Sequence, residues 1–311
     1  MDRSISNKNR SLTIALIIVL AVVIWLASTA EVNAAAKKTF NVVTKTVTEY
    51  EAADEDDPGS DKCEFKYYSN GLLKSATDIM NMSGFSGINS DWETVYKYDK
   101  NGLKKSEVAT YKGDKANKTV YTIKKGKITA SKYYDTSSGN ELLSTDKYYY
   151  KKGKLSKIVT THKEDGSKST MTYHSNGKPK KYTSNFISNQ TWKFDKHGNP
   201  TYVKTSYEDG DGTTSTYTNT YDKKGRIKKI VENDSIIYDG HSYKETATTT
   251  FKYTTKSGKV TKVVQTVRTV SNFSGTDTEQ TSVTTTKYSY KKIKVAKKFW
   301  KIVEKQQDSI L

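Results

Sequence analysis

Cysteine, histidine, arginine and aliphatic residues are all scarce in this sequence of 311 residues, and each scarcity excludes something. Cys63 is the single cysteine, so no internal disulfide can form. Stability must come from the fold itself or from bound ions. Cys63 reads as a half-buried small residue, the alternative being a free thiol. The histidines His162, His174, His197 and His241 stand singly, and no two share a metal-ligand spacing such as i, i+4. Beyond Ala36 the only arginines are Arg226 and Arg268. Lysine carries the remaining positive charge and lacks the planar fork that a guanidinium offers to phosphates and bases. Specific nucleic-acid recognition is therefore not expected. About 84 of the 275 residues after Ala36 are apolar, well under the globular norm. That is too little to fill a thick two-layer core, but a broad sheet faced with tyrosine, threonine and lysine needs less aliphatic volume.

What is present begins with an export segment. Arg3, Lys8 and Arg10 precede an apolar run from Leu12 to Ala27 that only Thr13 interrupts, and small residues follow at Val32-Asn33-Ala34 and Ala34-Ala35-Ala36. Residues 1–36 are expected to be a signal peptide cleaved near Ala34 or Ala36, or else a retained signal anchor, which would be the chain's one contact with a membrane. Cys63 lies far downstream of this run and is not a lipid-bearing first residue. The formal net charge is +18, and +17 remains after Ala36.

One pattern then recurs: aromatic, any residue, aromatic, a short polar stretch, glycine, then a basic and an aliphatic residue. It stands at Phe65 to Leu73, Tyr96 to Leu103, Tyr121 to Ile128, Tyr148 to Leu155, Met171 to Pro179, Trp192 to Pro200, Asn219 to Ile227 and Phe251 to Val260. A ninth copy, Tyr288 to Val295, lacks the glycine, as a terminal repeat can. The glycines Gly71, Gly102, Gly126, Gly153, Gly177, Gly198, Gly225 and Gly258 are spaced 21 to 33 residues apart. Such irregular spacing excludes a solenoid of equal coils and fits hairpins whose arms differ in length. Two aromatics two residues apart share one face of a strand, and glycine accepts the positive φ of a tight turn. A second set of turn sequences lies between the copies, among them Lys112-Gly113-Asp114, Glu164-Asp165-Gly166 and Tyr238-Asp239-Gly240. The fold class is all-β: an antiparallel meander of about 16 to 18 strands in a large twisted or curled sheet.

The expected organisation is the export segment 1–36, a leading strand and acidic loop over 37–62, the hairpin repeats over 63–295, and a basic amphipathic segment over 296–311. The stretch Glu49 to Asp61 is rich in carboxylates that could hold calcium, but its order is not that of a calcium loop, so a solvated charge run is expected. Ala296, Phe299, Trp300 and Val303 fall on one helical face with lysines around them. They predict a short helix or last strand covering the sheet's end, with a basic membrane contact as the alternative.

The copies Tyr98-Asp99-Lys100-Asn101-Gly102-Leu103 and Tyr221-Asp222-Lys223-Lys224-Gly225-Arg226-Ile227 resemble the Tyr-Asp-x-x-Gly-Arg-Leu unit of YD-repeat, RHS-like bacterial secreted and surface proteins, and Phe194-Asp195-Lys196-His197-Gly198 is a near match. This resemblance implies a short, divergent array of hairpins forming a curled shell. It implies a surface-binding or scaffold role, or alternatively the shell of a toxin system without its toxin, since only about 16 residues follow Val295.

No catalytic constellation is visible. Gly84-Phe85-Ser86-Gly87 is not the Gly-x-Ser-x-Gly of a nucleophile elbow, and Asp91 and Glu93 cannot be placed beside a second carboxylate from sequence. The chain is expected not to be an enzyme, a carbohydrate-active one being the remaining enzymatic alternative, and no cofactor or metal is expected. The expected binding surface is aromatic: Tyr96, Tyr98, Tyr148, Tyr150, Trp192, Phe194, Tyr221, Phe251 and Tyr253, alternating with lysine along exposed strands. Aromatic faces stack on sugar rings and ammonium groups attract polyanions. The expected partner is a cell-wall polyanion, a polysaccharide or a partner protein, met outside the cell at its surface.

Overall fold

The computed structural model describes residues 37–51, 59–82, 89–137, 139–273 and 276–311. The export segment, the acidic residues 52–58 with their calcium question, and the stretch 84–87 lie outside the described residues. Among the described residues, eighteen strands follow one another. The first nine are β1 (Lys37–Glu51), β2 (Gly59–Tyr67), β3 (Leu73–Met82), β4 (Asn89–Tyr98), β5 (Lys104–Tyr111), β6 (Asp114–Lys124), β7 (Lys127–Asp135), β8 (Glu141–Lys151) and β9 (Lys154–His162). The rest are β10 (Lys168–Tyr173), β11 (Pro179–Ser184), β12 (Asn189–Phe194), β13 (Pro200–Ser206), β14 (Gly212–Tyr221), β15 (Ile227–Tyr238), β16 (His241–Lys256), β17 (Lys259–Phe273) and β18 (Thr276–Ala296). A single 3-10 turn, Lys297–Phe299, leads into helix α1 (Trp300–Asp308).

Each strand pairs antiparallel with the next, and β1 pairs with β18 from Lys37↔Ala296 to Glu51↔Val283. The meander is therefore a closed barrel. The expected open, twisted or curled sheet is corrected on this point, and the YD-repeat array implied by the resemblance falls with it, as does the toxin-shell alternative. The physical reason is that joining β1 to β18 satisfies the two rows of backbone groups that an open sheet would leave unpaired. Lysine is thus not needed to guard a free edge. Uneven glycine spacing becomes uneven wall height: β10 to β13 have six or seven residues each, while β16 to β18 have fifteen to twenty-one.

All eight repeat glycines turn the chain at one end of the barrel, and all have positive φ. At Lys125-Gly126 and Lys152-Gly153 both turn residues are left-handed, with φ of 49° and 69° and of 49° and 79°. That is the two-residue turn whose twist matches antiparallel strands. The longer turns use aspartate instead. Asp99, Asp195 and Asp222 each accept, on one side-chain oxygen, the backbone N–H groups two and four residues on. This is the physical content of the Tyr-Asp signature.

The residue three past each glycine is an extra one opposite its partner strand: Lys74, Lys105, Thr129, Ser156, Lys180, Thr201, Lys228 and Thr261. Eight bulges at one rim increase local twist and help curve the wall shut. Where the extra residue is Ser or Thr, its hydroxyl donates across to the partner strand, as Ser156 does to the Tyr149 carbonyl at 3.0 Å.

The rest of the repeat consensus joins one hairpin to the next. Tyr150, Tyr253 and Tyr290 donate their hydroxyls to the carbonyls of Ile128, Ile227 and Val260, the aliphatic residues of the preceding copies, at 2.6 to 2.8 Å. The basic residues before those aliphatics, Lys127, Arg226 and Lys259, lie over the same three rings at 4.4 to 5.5 Å.

Past the ring, the first residues of β1 and the last of β18 continue as a two-stranded ribbon, and α1 follows it onto the glycine-turn end. Phe40, Val42, Leu72, Val295, Phe299, Ile302 and Val303 bury one another there. Gly102 admits this packing because a Cβ would stand 2.7 Å from Ile302 Cδ1. Two glutamines stitch the helix down. Gln307 accepts the Val43 N–H at 2.7 Å and donates to the Tyr67 hydroxyl, while Gln306 accepts the Leu73 N–H and donates to the Tyr98 hydroxyl. The C-terminal segment thus forms the expected helix and covers part of one mouth.

Candidate functional site

Period-two alternation places the expected aromatic surface on the inside. Tyr96 and Tyr98 on β4, Tyr148 and Tyr150 on β8, Trp192 and Phe194 on β12, Tyr221 on β14, and Phe251 and Tyr253 on β16 are all half-buried. The residues between them, Lys97, Tyr149, Lys193 and Lys252, are exposed on the outer wall. The nine rings line the interior, while most lysines face outward, where Lys157 and Lys193 lie over the outer rings of Tyr149 and Tyr202. An eighteen-strand ring has a circumference on the order of 110 Å, whereas side chains fill the inside of a ring of about eight strands. The inner aromatics accordingly keep partial exposure instead of forming a sealed core. Burial pushes the hydroxyl pKa of Tyr150 up to about 12, and those of Tyr96, Tyr98 and Tyr148 higher still, so all remain neutral.

The pairing register also gathers carboxylates that the sequence scatters. Cys63 lies opposite Thr46 on one side and Asp78 on the other, so Asp61, Cys63 and Asp78 bring one donor atom each within 4.8 Å of one another. Burial, then a hydrogen bond and repulsion from Asp78, push the Asp61 carboxyl up to about 8. Cys63 is raised for the same reasons, which makes it a poor thiolate ligand. Glu232 is raised to about 7, first by burial and then by Asp234. Glu245, from the adjoining strand, accepts the Ser271 hydroxyl at 2.7 Å. On β5, Lys104 and Glu107 form an ion pair of 2.7 Å with side chains only 7% and 11% exposed. Tyr121 donates to the same Glu107 at 2.8 Å.

Sequence reasoning missed these groups because Cys63 and Asp78, and Asp234 and Glu245, meet across strands, while a bulge brings Lys104 and Glu107 of one strand onto the same face. Two of the histidines stack singly on aromatic rings, His162 on Phe186 and His197 on Tyr221.

The Asp61 environment has a measurable consequence. Its folded pKa lies above the unfolded value near 4, so this group's contribution to stability is full below about pH 4 and is lost as pH rises through about 8. Urea midpoints should fall between pH 5.5 and pH 8.5, and should fall less in Asp61→Asn. An equal fall in both proteins would refute the assignment.

No protein-family model and no curated protein matches the chain. Among solved structures it is similar to a porin-like protein from Bacteroides uniformis ATCC 8492, at 16% identity over 80% of this chain and 96% of that one, with a TM-score of 0.43. Barrel closure stands on the hydrogen bonds between β1 and β18. With no YD-repeat model matching and the sheet closed, the YD-repeat and RHS-like reading is not sustained.

Proposed function

We propose that this chain is an exported, non-catalytic binding or scaffold barrel of the cell surface, and that its excess of positive charge engages an anionic polymer. The observation that carries the reading is the composition of the outward face. Along β16 that face reads Lys244, Thr246, Thr248, Thr250, Lys252 and Thr254, and along β14 it reads Thr214, Thr216, Thr218 and Thr220. A barrel that spans a membrane presents an apolar band about 25 Å tall, and each lysine at the midplane costs about 2–4 kcal/mol. This wall favours water instead. No described helix is long and apolar enough to cross a membrane. The positive charge beyond Ala36 supplies the attraction for polyanions.

A second reading, a neutral glycan held within the barrel, is favoured by the half-buried inner aromatics. The two differ in salt dependence, since the screening length shrinks from about 30 Å at 0.01 M to about 8 Å at 0.15 M salt. Retention on purified cell wall should drop steeply between those concentrations. Retention on a neutral polysaccharide that ignores salt would favour the interior instead. Binding to neither would leave a scaffold for a partner protein, and turnover of either polymer would overturn the non-catalytic reading.

A further inference from the structure

The meander sorts the turns into two rims, and the charges of those rims are opposite. Eight glycine turns join β2 to β3, β4 to β5, and so on to β16 and β17. Counting each connection with two flanking residues on either side, they carry 22 Lys or Arg against three aspartates, Asp99, Asp195 and Asp222. Counted the same way over the described residues, the other rim carries four lysines against eleven Asp or Glu. The ribbon and helix over the glycine-turn mouth add seven lysines and one acid between Lys291 and Lys305. A uniformly basic shell would have shown no such polarity.

Neighbouring hairpins at the basic rim are two strand spacings apart, about 10 Å, which is close to the screening length at physiological salt. Their fields therefore add around the ring. At the opposite rim the sum is repulsive to the same partner. We propose that the barrel docks end-on, presenting the glycine-turn rim to a linear polyanion and directing its acidic rim away. This rests on the polyanion reading above and adds the orientation. Lys124, Lys151, Lys196 and Lys223 suit the role because each is exposed within or beside a glycine turn.

The test compares two quadruple variants of the full chain with the same change in net charge. One is Lys124→Glu, Lys151→Glu, Lys196→Glu and Lys223→Glu at the basic rim. The other is Lys115→Glu, Lys147→Glu, Lys168→Glu and Lys204→Glu, on exposed positions of the wall and the opposite end. The probes are immobilised poly(glycerol phosphate) and, separately, polyglutamate, at low salt. The rim variant should lose more than about tenfold in affinity and the wall variant less than about threefold. Lys→Gln at the four rim positions should give a smaller loss in the same order, which guards against a folding defect from charge reversal. Equal losses in the two Glu variants would overturn end-on docking while leaving the polyanion reading intact. Failure of the unmodified protein to bind either polymer would overturn the reading on which this inference rests.

Discussion

Replacing Phe299 with alanine should release the C-terminal cap, at a cost of about 3–5 kcal/mol. Phe299 is buried between Gly102 and the apolar residues of the β1–β18 ribbon, and α1 has only nine residues. A helix that short is not stable in water by itself, so its order derives from this packing. The loss should be local, because the ring's own hydrogen bonds do not pass through Phe299. Hydrogen exchange should show lost protection at Trp300 to Asp308 and at the Val43 and Leu73 amides that the glutamines hold, with the remaining strands still protected. Trp300, whose indole donates to the Val295 carbonyl at 2.8 Å, should shift its fluorescence to the red. Unchanged protection at Val43 would mean that the cap is held by something other than this cluster.

The second large effect is expected at Lys104. Its ammonium is paired with Glu107 and lies over the Tyr96 ring at 5.0 Å, nearly out of water. Lys104→Ala leaves a buried carboxylate with the Tyr121 hydroxyl as its remaining partner, a change that costs about 3–5 kcal/mol. Lys104→Met combined with Glu107→Gln should recover most of that loss, because no uncompensated charge then remains. Urea denaturation of both variants measures this. A double variant as unstable as the single one would show that the contribution of Lys104 is packing and not charge.

Both sites illustrate how physical meaning was divided between chain and fold. The spacing of Ala296, Phe299, Trp300 and Val303 left a short helix or a last strand open, and the helix forms from Trp300 onward. Its glutamine contacts were not legible, because Val43 and Leu73 are distant in the chain and reach it only through the ribbon and the rim. The Lys104–Glu107 pair was hidden by a bulge at Lys105, which puts residues three apart on one face where a regular strand would oppose them. The two-residue spacing of the nine aromatics implied that they share one face of their strands. Their direction was not readable, since alternation defines two faces without saying which is inner.

By itself the sequence determined the local geometry: aromatics two apart, glycines with positive φ, Asp-initiated turns and arms of unequal length, all set by residues a few positions apart. From these follow an antiparallel meander and an approximate strand number. Tertiary structure alone decided that the meander closes, because pairing of β1 with β18 joins residues more than 230 positions apart, and no local signal distinguishes an edge strand from one that will meet its partner. Closure then turned the nine repeat aromatics inward and most lysines outward, and gave the barrel two ends of opposite charge.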